Sequence, residues 1–196
     1  MKRQNDVAAK RAPIAKLAWL PALFCLCVFG PSPAGIKAAE TSIPPLLAAD
    51  IMNAFSARDL TGASWCSERL RNRVTVIHFW ATWCPPCRKE IEHLRNVYHD
   101  HRNRDLDIIG INLEVIQRAE LNRFLASHRV DWPQINEPGA FQSRLARLFQ
   151  VTRLPGVFLI DRQGAIRQLH TSDRRAFIAA IETALGPGGY QSDSMP

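Results

Sequence analysis

The chain has 196 residues, of which 46% are apolar; that suits one globular domain with a short extra segment and excludes a disordered or fibrous polypeptide. The formal net charge is +7, but Lys2, Arg3, Lys10, Arg11, Lys16 and Lys37 against Asp6 place +5 of it in residues 1–39 and leave +2 for the rest. A basic surface for nucleic acid is thereby excluded.

Residues 1–39 have the layout of an export signal: a basic stretch, the apolar run Leu17–Phe29, then Pro31, Ser32, Pro33 and Ala34. The run is shorter than the roughly 20 residues of a comfortable membrane span. The segment is expected to be a signal peptide, cleaved near Ala34 or Ala38, or an uncleaved N-terminal anchor. Either outcome puts the rest of the chain in the periplasm or at the outer face of the inner membrane. Cys25 and Cys27 sit inside the apolar run as small hydrophobes. Export leaves Cys66, Cys84 and Cys87, an odd number and too few for a disulfide-stapled scaffold, so packing must hold the fold.

Residues 40–53, with Pro44-Pro45 and an Ala-rich stretch, read as a linker or short helix before a domain at residues 54–186. Phe55–Leu70 contains the turn signal Asp59-Leu60-Thr61-Gly62 between short runs able to pair as a hairpin. Val74–Trp80 is β-branched and aromatic, as in a strand buried on both faces. Pro85–His101 is a helix with Ile91, Leu94, Val97 and Tyr98 on one stripe, and Leu106–Leu113 is a second buried strand. Helices are expected at Ala119–His128 and Phe141–Phe149. Val157–Ile160 is a third strand, and Asp161–Gly164 turns the chain into Ala165–Leu169. Asp173 caps a last helix to about Ala184, and residues 187–196 read as a loose tail. This order predicts an α/β fold: a mixed sheet, parallel early and antiparallel late, with helices on both sides.

The chemistry centres on Trp83-Cys84-Pro85-Pro86-Cys87, directly after the first long strand and at the start of a helix. With Cys84 as N-cap, Pro85 and Pro86 fill positions whose N–H groups would lack partners anyway. Cys84 then sits at the positive end of the helix dipole, which favours its thiolate. Cys87 falls on the same face, close enough to bond to it. Zinc is a competing use, with His93 and His99 on the same helix. Four ligands at suitable spacing are lacking, so no metal and no separate cofactor is assigned. Cys66, next to Trp65 in the hairpin, reads as a buried small hydrophobe rather than a reactive thiol.

The segment His78–Glu90 resembles the active site of the thioredoxin superfamily, and most of all that of the TlpA/ResA-like disulfide reductases of bacterial envelopes. Phe55, Asp59-Leu60, Gly62 and Leu70 fit that group's N-terminal hairpin, and Leu154–Gly164 resembles its cis-proline segment, so the likeness covers about Phe55 to Leu185. It implies a thioredoxin-like fold with an added N-terminal hairpin and a helical insertion. It also implies catalysis by Cys84 and Cys87 as a redox-active disulfide, with substrate contacts from Trp83, Leu154 and the cis-proline Pro155. The expected activity is reduction of disulfides in exported proteins by a monomer fed from a membrane electron donor of the DsbD/CcdA type. A disulfide-forming oxidant or a Sco-like copper chaperone on the same fold is the alternative.

Departures from the family pattern bear on substrate and mechanism. Leu154 stands where a small or hydroxylated residue is usual, and Gly156 where the cytochrome-maturation branch carries glutamate. His78 replaces the usual Asp or Asn. Imidazole titrates in the right range to take the Cys87 proton, and Glu114 is the competing proton-transfer group.

Overall fold

The computed structural model describes residues 40–186 apart from 102 and 170–172. The expected signal or anchor at 1–39 and the tail at 187–196 lie outside the described residues. The chain forms β1 (Glu40–Ser42), α1 (Pro45–Ala54), β2 (Ser56–Arg58), β3 (Ser64–Cys66), α2 (Ser67–Leu70) and β4 (Val74–Trp80). Next come α3 (Pro85–His101), β5 (Leu106–Asn112), α4 (Arg118–Ser127), β6 (Gln134–Asn136), a 3-10 turn at Ala140–Gln142 and α5 (Arg144–Leu148). β7 (Gly156–Ile160), β8 (Ile166–Leu169) and α6 (Arg174–Leu185) complete it.

Six strands make one mixed sheet in the order β1-β8-β7-β4-β5-β6. β4, β5 and β6 run parallel, whereas β7 is antiparallel to β4 and to β8, and β8 is antiparallel to β1. This is the thioredoxin-like arrangement expected from the order of elements. β4 lies inside the sheet with every residue buried, which is why its sequence is apolar almost throughout rather than alternating. Val74, Val76 and Trp80 face a core built with Ile91, Leu94 and Val97 of α3, Leu121 of α4 and Phe177 and Ile181 of α6. Ile77 and Phe79 face the opposite core, made with Ile51 and Met52 of α1, Phe55 and Trp65 of the hairpin, Leu70 of α2, Leu145 of α5 and the following Phe149.

Three expectations change. Residues 40–53, read as a linker or short helix, hold the short helix α1, which buries Ala48, Ile51 and Met52, and before it the unforeseen β1, which extends the sheet beyond β8. The Phe141–Phe149 helix divides, because the Ser143 hydroxyl accepts the Ala146 N–H at 3.3 Å and restarts the chain as the N-cap of α5. β6 was not foreseen; three residues following Pro133 show no periodicity to read. The hairpin is closed by Asp59, whose carboxylate accepts from Thr61 N, Thr61 Oγ1, Ala63 N and Trp65 Nε1 at 2.6–3.0 Å. Burial alone would raise that carboxyl, but these hydrogen bonds outweigh it and hold it below its ordinary value.

Ile51 is fully buried, so Ile51→Ala is expected to lower unfolding free energy by about 2–5 kcal/mol. Chemical denaturation checks this. A loss within about 0.5 kcal/mol, the usual effect of a surface substitution, would detach α1 from the domain.

Candidate active site

β4 delivers Trp80 to the sheet edge, where the chain turns: Cys84 N–H donates to Ala81 O at 3.2 Å. α3 then starts at Pro85. The Cys87 N–H, which has no carbonyl to bond in the first turn, donates to Cys84 Sγ at 3.3 Å, and Arg88 N–H donates to Cys84 O at 3.2 Å. Cys84 is thus the cap, and the prolines occupy the two positions where a missing donor costs little. Cys84 and Cys87 form a disulfide with Cα atoms 5.3 Å apart. Cys84 keeps 4% of its surface exposed and Cys87 none, whereas neighbouring Trp83 is 64% exposed. A partner reaching this site therefore meets Cys84 first.

The Leu154–Pro155 peptide bond is cis. Gly156 pairs with Phe79, which sets Pro155 beside the end of β4, next to the turn bearing the cysteines. Leu154 is half-buried and packs on both cores. A side chain at Gly156 would point at Val151 Cγ1 and Phe79 Cβ, 3.3 and 3.5 Å from its Cβ. Packing thus accounts for the glycine.

His78 is fully buried, between Gly110 of β5 and Val157 of β7. Strand alternation puts it on the face of Val76 and Trp80, the side covered by α3. Its ring lies nearly parallel to that of Trp80, with 6.4 Å between centroids. Neither ring nitrogen has a hydrogen-bond partner among the described residues. Burial pushes its pKa down from 6.5 to about 3, so the imidazole is neutral at physiological pH. A base this weak has little thermodynamic pull on a thiol proton.

Glu114 is hydrogen-bonded to the loop before Cys84 and to the end of β5. Its Oε1 accepts from Thr82 N at 2.8 Å and from Asn112 Nδ2 at 2.9 Å, and its Oε2 from Thr82 Oγ1 at 3.0 Å. Both oxygens hold the loop before Cys84. A buried acid on α3 is Glu90, 3% exposed on the helix face shared by Cys87 and Ile91, with Oε2 3.8 Å from His93 Nδ1. Sequence reasoning passed it over. The available signal was its spacing: three residues after Cys87 and four before Leu94, it falls on the apolar stripe of the helix. A second unforeseen residue is Gln134. Its Oε1 accepts from Trp80 Nε1 at 3.0 Å, and a Cβ at Gly110 would overlap its amide. The glycine thus makes room for an anchor on the strand that carries the site.

Cys66, expected to be buried, is a half-exposed free thiol at the end of β3. Its hydrogen bond to Glu68, joined by the Glu68 backbone N–H and Arg71, holds that carboxyl below its ordinary value. Among the described residues no three His, Cys, Asp or Glu side chains converge as a metal site, and no helix is long and apolar enough to cross a membrane.

A family model described as AhpC/TSA matches residues 48–169. The chain belongs to the AhpC/TSA family, on a thioredoxin-superfamily domain. It is 26% identical over 117 residues to the thiol-disulfide oxidoreductase ResA of Halalkalibacterium halodurans, covering 60% of this chain and 64% of ResA. The match thus spans less than two thirds of that relative's length. It is 22% identical over 136 residues to the sporulation thiol-disulfide oxidoreductase A of Bacillus subtilis, covering 68% of this chain and 77% of the relative. Among solved structures it resembles a thiol:disulfide interchange protein of Chlorobium tepidum, with TM-score 0.57 and 25% identity over 67% of this chain and 93% of that one.

The depressed His78 pKa makes a sign-definite expectation. Between pH 6.5 and 3 the unfolded chain binds a proton at His78 that the folded chain refuses, so stability falls as pH falls through that window. Against this, His78→Leu should flatten the acid limb of a stability–pH curve by up to about 1.4 kcal/mol per pH unit. Parallel curves for the two proteins would show that His78 is not neutral when folded.

Proposed function

We propose that this protein is an exported thiol–disulfide oxidoreductase that reduces disulfides in other exported proteins, with Cys84 as nucleophile and Cys87 as resolving thiol. The observation that carries the reading is the disulfide at the start of α3, in which Cys84 keeps 4% of its surface exposed and Cys87 none. Similarity to named thiol-disulfide oxidoreductases supports the same class of chemistry. The basic and apolar segment of residues 1–39 supports export to the periplasm or the outer face of the inner membrane.

In the reduced form, the Cys87 N–H and the dipole of the 17-residue α3 stabilise a thiolate on Cys84. That thiolate attacks one sulfur of a partner's disulfide: a mixed disulfide forms, and the partner's second sulfur leaves as thiolate. Cys87, having lost its proton, attacks Cys84 Sγ and releases the partner's first sulfur as thiolate. The partner gains two electrons and takes up two protons, and the Cys84–Cys87 disulfide is restored. A membrane-bound dithiol donor of the DsbD/CcdA type would reduce it again, so the disulfide itself is the only cofactor the cycle needs. Trp83, Leu154 and Pro155 would meet the partner's backbone in the manner of strand addition. Glu90, buried one helical turn after Cys87, is a candidate to take the Cys87 proton beside Glu114, and His78 contributes a neutral wall to the α3 side of the sheet.

With Cys87→Ala the resolving step is lost, so mixed disulfides through Cys84 should accumulate with exported proteins in an oxidising envelope. Cys84→Ala should accumulate none. Non-reducing electrophoresis with mass spectrometry of the linked peptides reads both, and a Cys87→Ala protein free of linked partners would refute the division of labour.

A further inference from the structure

The C-terminal half of α3 and the loop between α4 and β6 enclose a cleft of about 380 Å³ that the exchange chemistry does not use. Arg95 in its wall lies roughly 16 Å beyond Cys84 along α3, at 1.5 Å per helical residue. Arg95 and Arg129 bring two guanidinium groups to the cleft, Tyr98 and Trp132 two rings, and Asp131 a carboxylate. His99 also lines it, with its Nδ1 3.5 Å from Asp100 Oδ1. Contacts hold these groups together. Arg95 Nη1 donates to His128 O at 3.2 Å, which ties its guanidinium to the residue before Arg129. The Tyr98 and Trp132 rings meet edge to face, with centroids 5.8 Å apart.

Two of these residues are at odds with the fold around them. Trp132 is 3% exposed, and its indole N–H is buried with no hydrogen-bond partner among the described residues. A buried donor left without an acceptor costs stability. Arg129 stands just past the C-cap of α4 in the left-handed conformation, with φ 53°. Its N–H donates to Ala126 O at 3.2 Å and the Val130 N–H to Leu125 O at 3.0 Å, the pairing that ends a helix on a left-handed residue. Glycine takes that position without strain, whereas arginine bears a steric cost. The end of α4 therefore favours glycine, and what arginine adds is a guanidinium in the wall of the cleft.

The donor set selects the ligand. A guanidinium presents parallel N–H groups, and one such fork already fills the two oxygens of a carboxylate. A phosphate monoester offers three oxygens, enough for both arginines and the indole N–H, and carries about −1.5 to −2 charge at neutral pH. The half-buried ring of Tyr98 gives an aromatic body a surface to pack on. We propose that this cleft binds a small phosphate monoester with a ring in its organic part. Arg95 and Arg129 hold its oxygens, Trp132 donates its indole N–H to it, and Tyr98 packs against the ring. The proposal is independent of the redox reading, and its failure would leave that reading in place.

The test is calorimetric titration of the oxidised protein with phenyl phosphate, inorganic phosphate and benzoate. Phenyl phosphate should bind about tenfold tighter than benzoate, the size of one charge-assisted hydrogen bond, and tighter than inorganic phosphate, which has no ring. Arg129→Gly should weaken phenyl phosphate binding by about tenfold or more, while its thermal midpoint holds or rises because glycine suits the left-handed backbone. Trp132→Phe, which keeps a ring and removes the donor, should weaken binding by a similar factor. In heteronuclear NMR spectra, the indole N–H signal that Trp132→Phe removes should move downfield as phenyl phosphate is added to wild type. An Arg129→Gly protein that binds phenyl phosphate as wild type does would overturn the cleft, and so would benzoate binding as tightly as phenyl phosphate. Binding to phosphatidylglycerol vesicles without binding to phenyl phosphate would also overturn it and make this face a membrane contact.

Discussion

The first turn of a helix leaves backbone N–H groups without partners, and at the start of α3 the sulfur of Cys84 takes the one that Cys87 offers. Two prolines remove the neighbouring donors, so the turn needs no other cap. That hydrogen bond fixes the nucleophile at the positive end of a 17-residue helix and brings the second cysteine under it. It also requires that the chain arrive from one direction. β4, buried on both faces between β5 and β7, supplies the direction, and its pairing with β7 brings the cis-proline alongside. The site is the place where one buried strand must end, one helix must begin, and a neighbouring strand must start.

Polar groups in the core around that junction divide into two kinds. Asn112, Gln134 and Glu114 are satisfied and hold backbone in place: Gln134 grips Trp80, and Glu114 with Asn112 grips Thr82. His78 is not satisfied, since both ring nitrogens lack partners among the described residues. An orphaned polar group in a core costs stability, so its retention on the strand that carries the site is the kind of local conflict that function accounts for. Its low pKa removes it as a strong base and leaves it as a neutral dipole on the α3 face of the sheet.

How much of this was legible beforehand depended on the length of each signal. β4, α3 and β5 carry long, consistent periodicity, and their observed bounds lie within a residue of expectation. The motif at Cys84–Cys87 and the proline at 155 were readable because few residue types perform their tasks. β1 and β6, three residues each, exist only because longer strands offer them an edge, which no local pattern records. Glu90 hid for the opposite reason: on an amphipathic helix an isolated acid reads as a solvated face until the helix is seen to bury it. Glu114 was found, but sequence places it after β5 without revealing that Thr82 lies across from it.

Cys84, the less buried of the two sulfurs, is the reactive one, and Cys87 is sealed. Alkylation of the fully reduced, folded protein, with each cysteine resolved by mass spectrometry from pH 4 to 10, measures this directly. Cys84 should be modified first at every pH, with its half-maximal rate well below the 8.5 of an ordinary thiol, while Cys87 stays protected until the protein unfolds. Equal labelling of the two, or faster labelling of Cys87, would contradict the account.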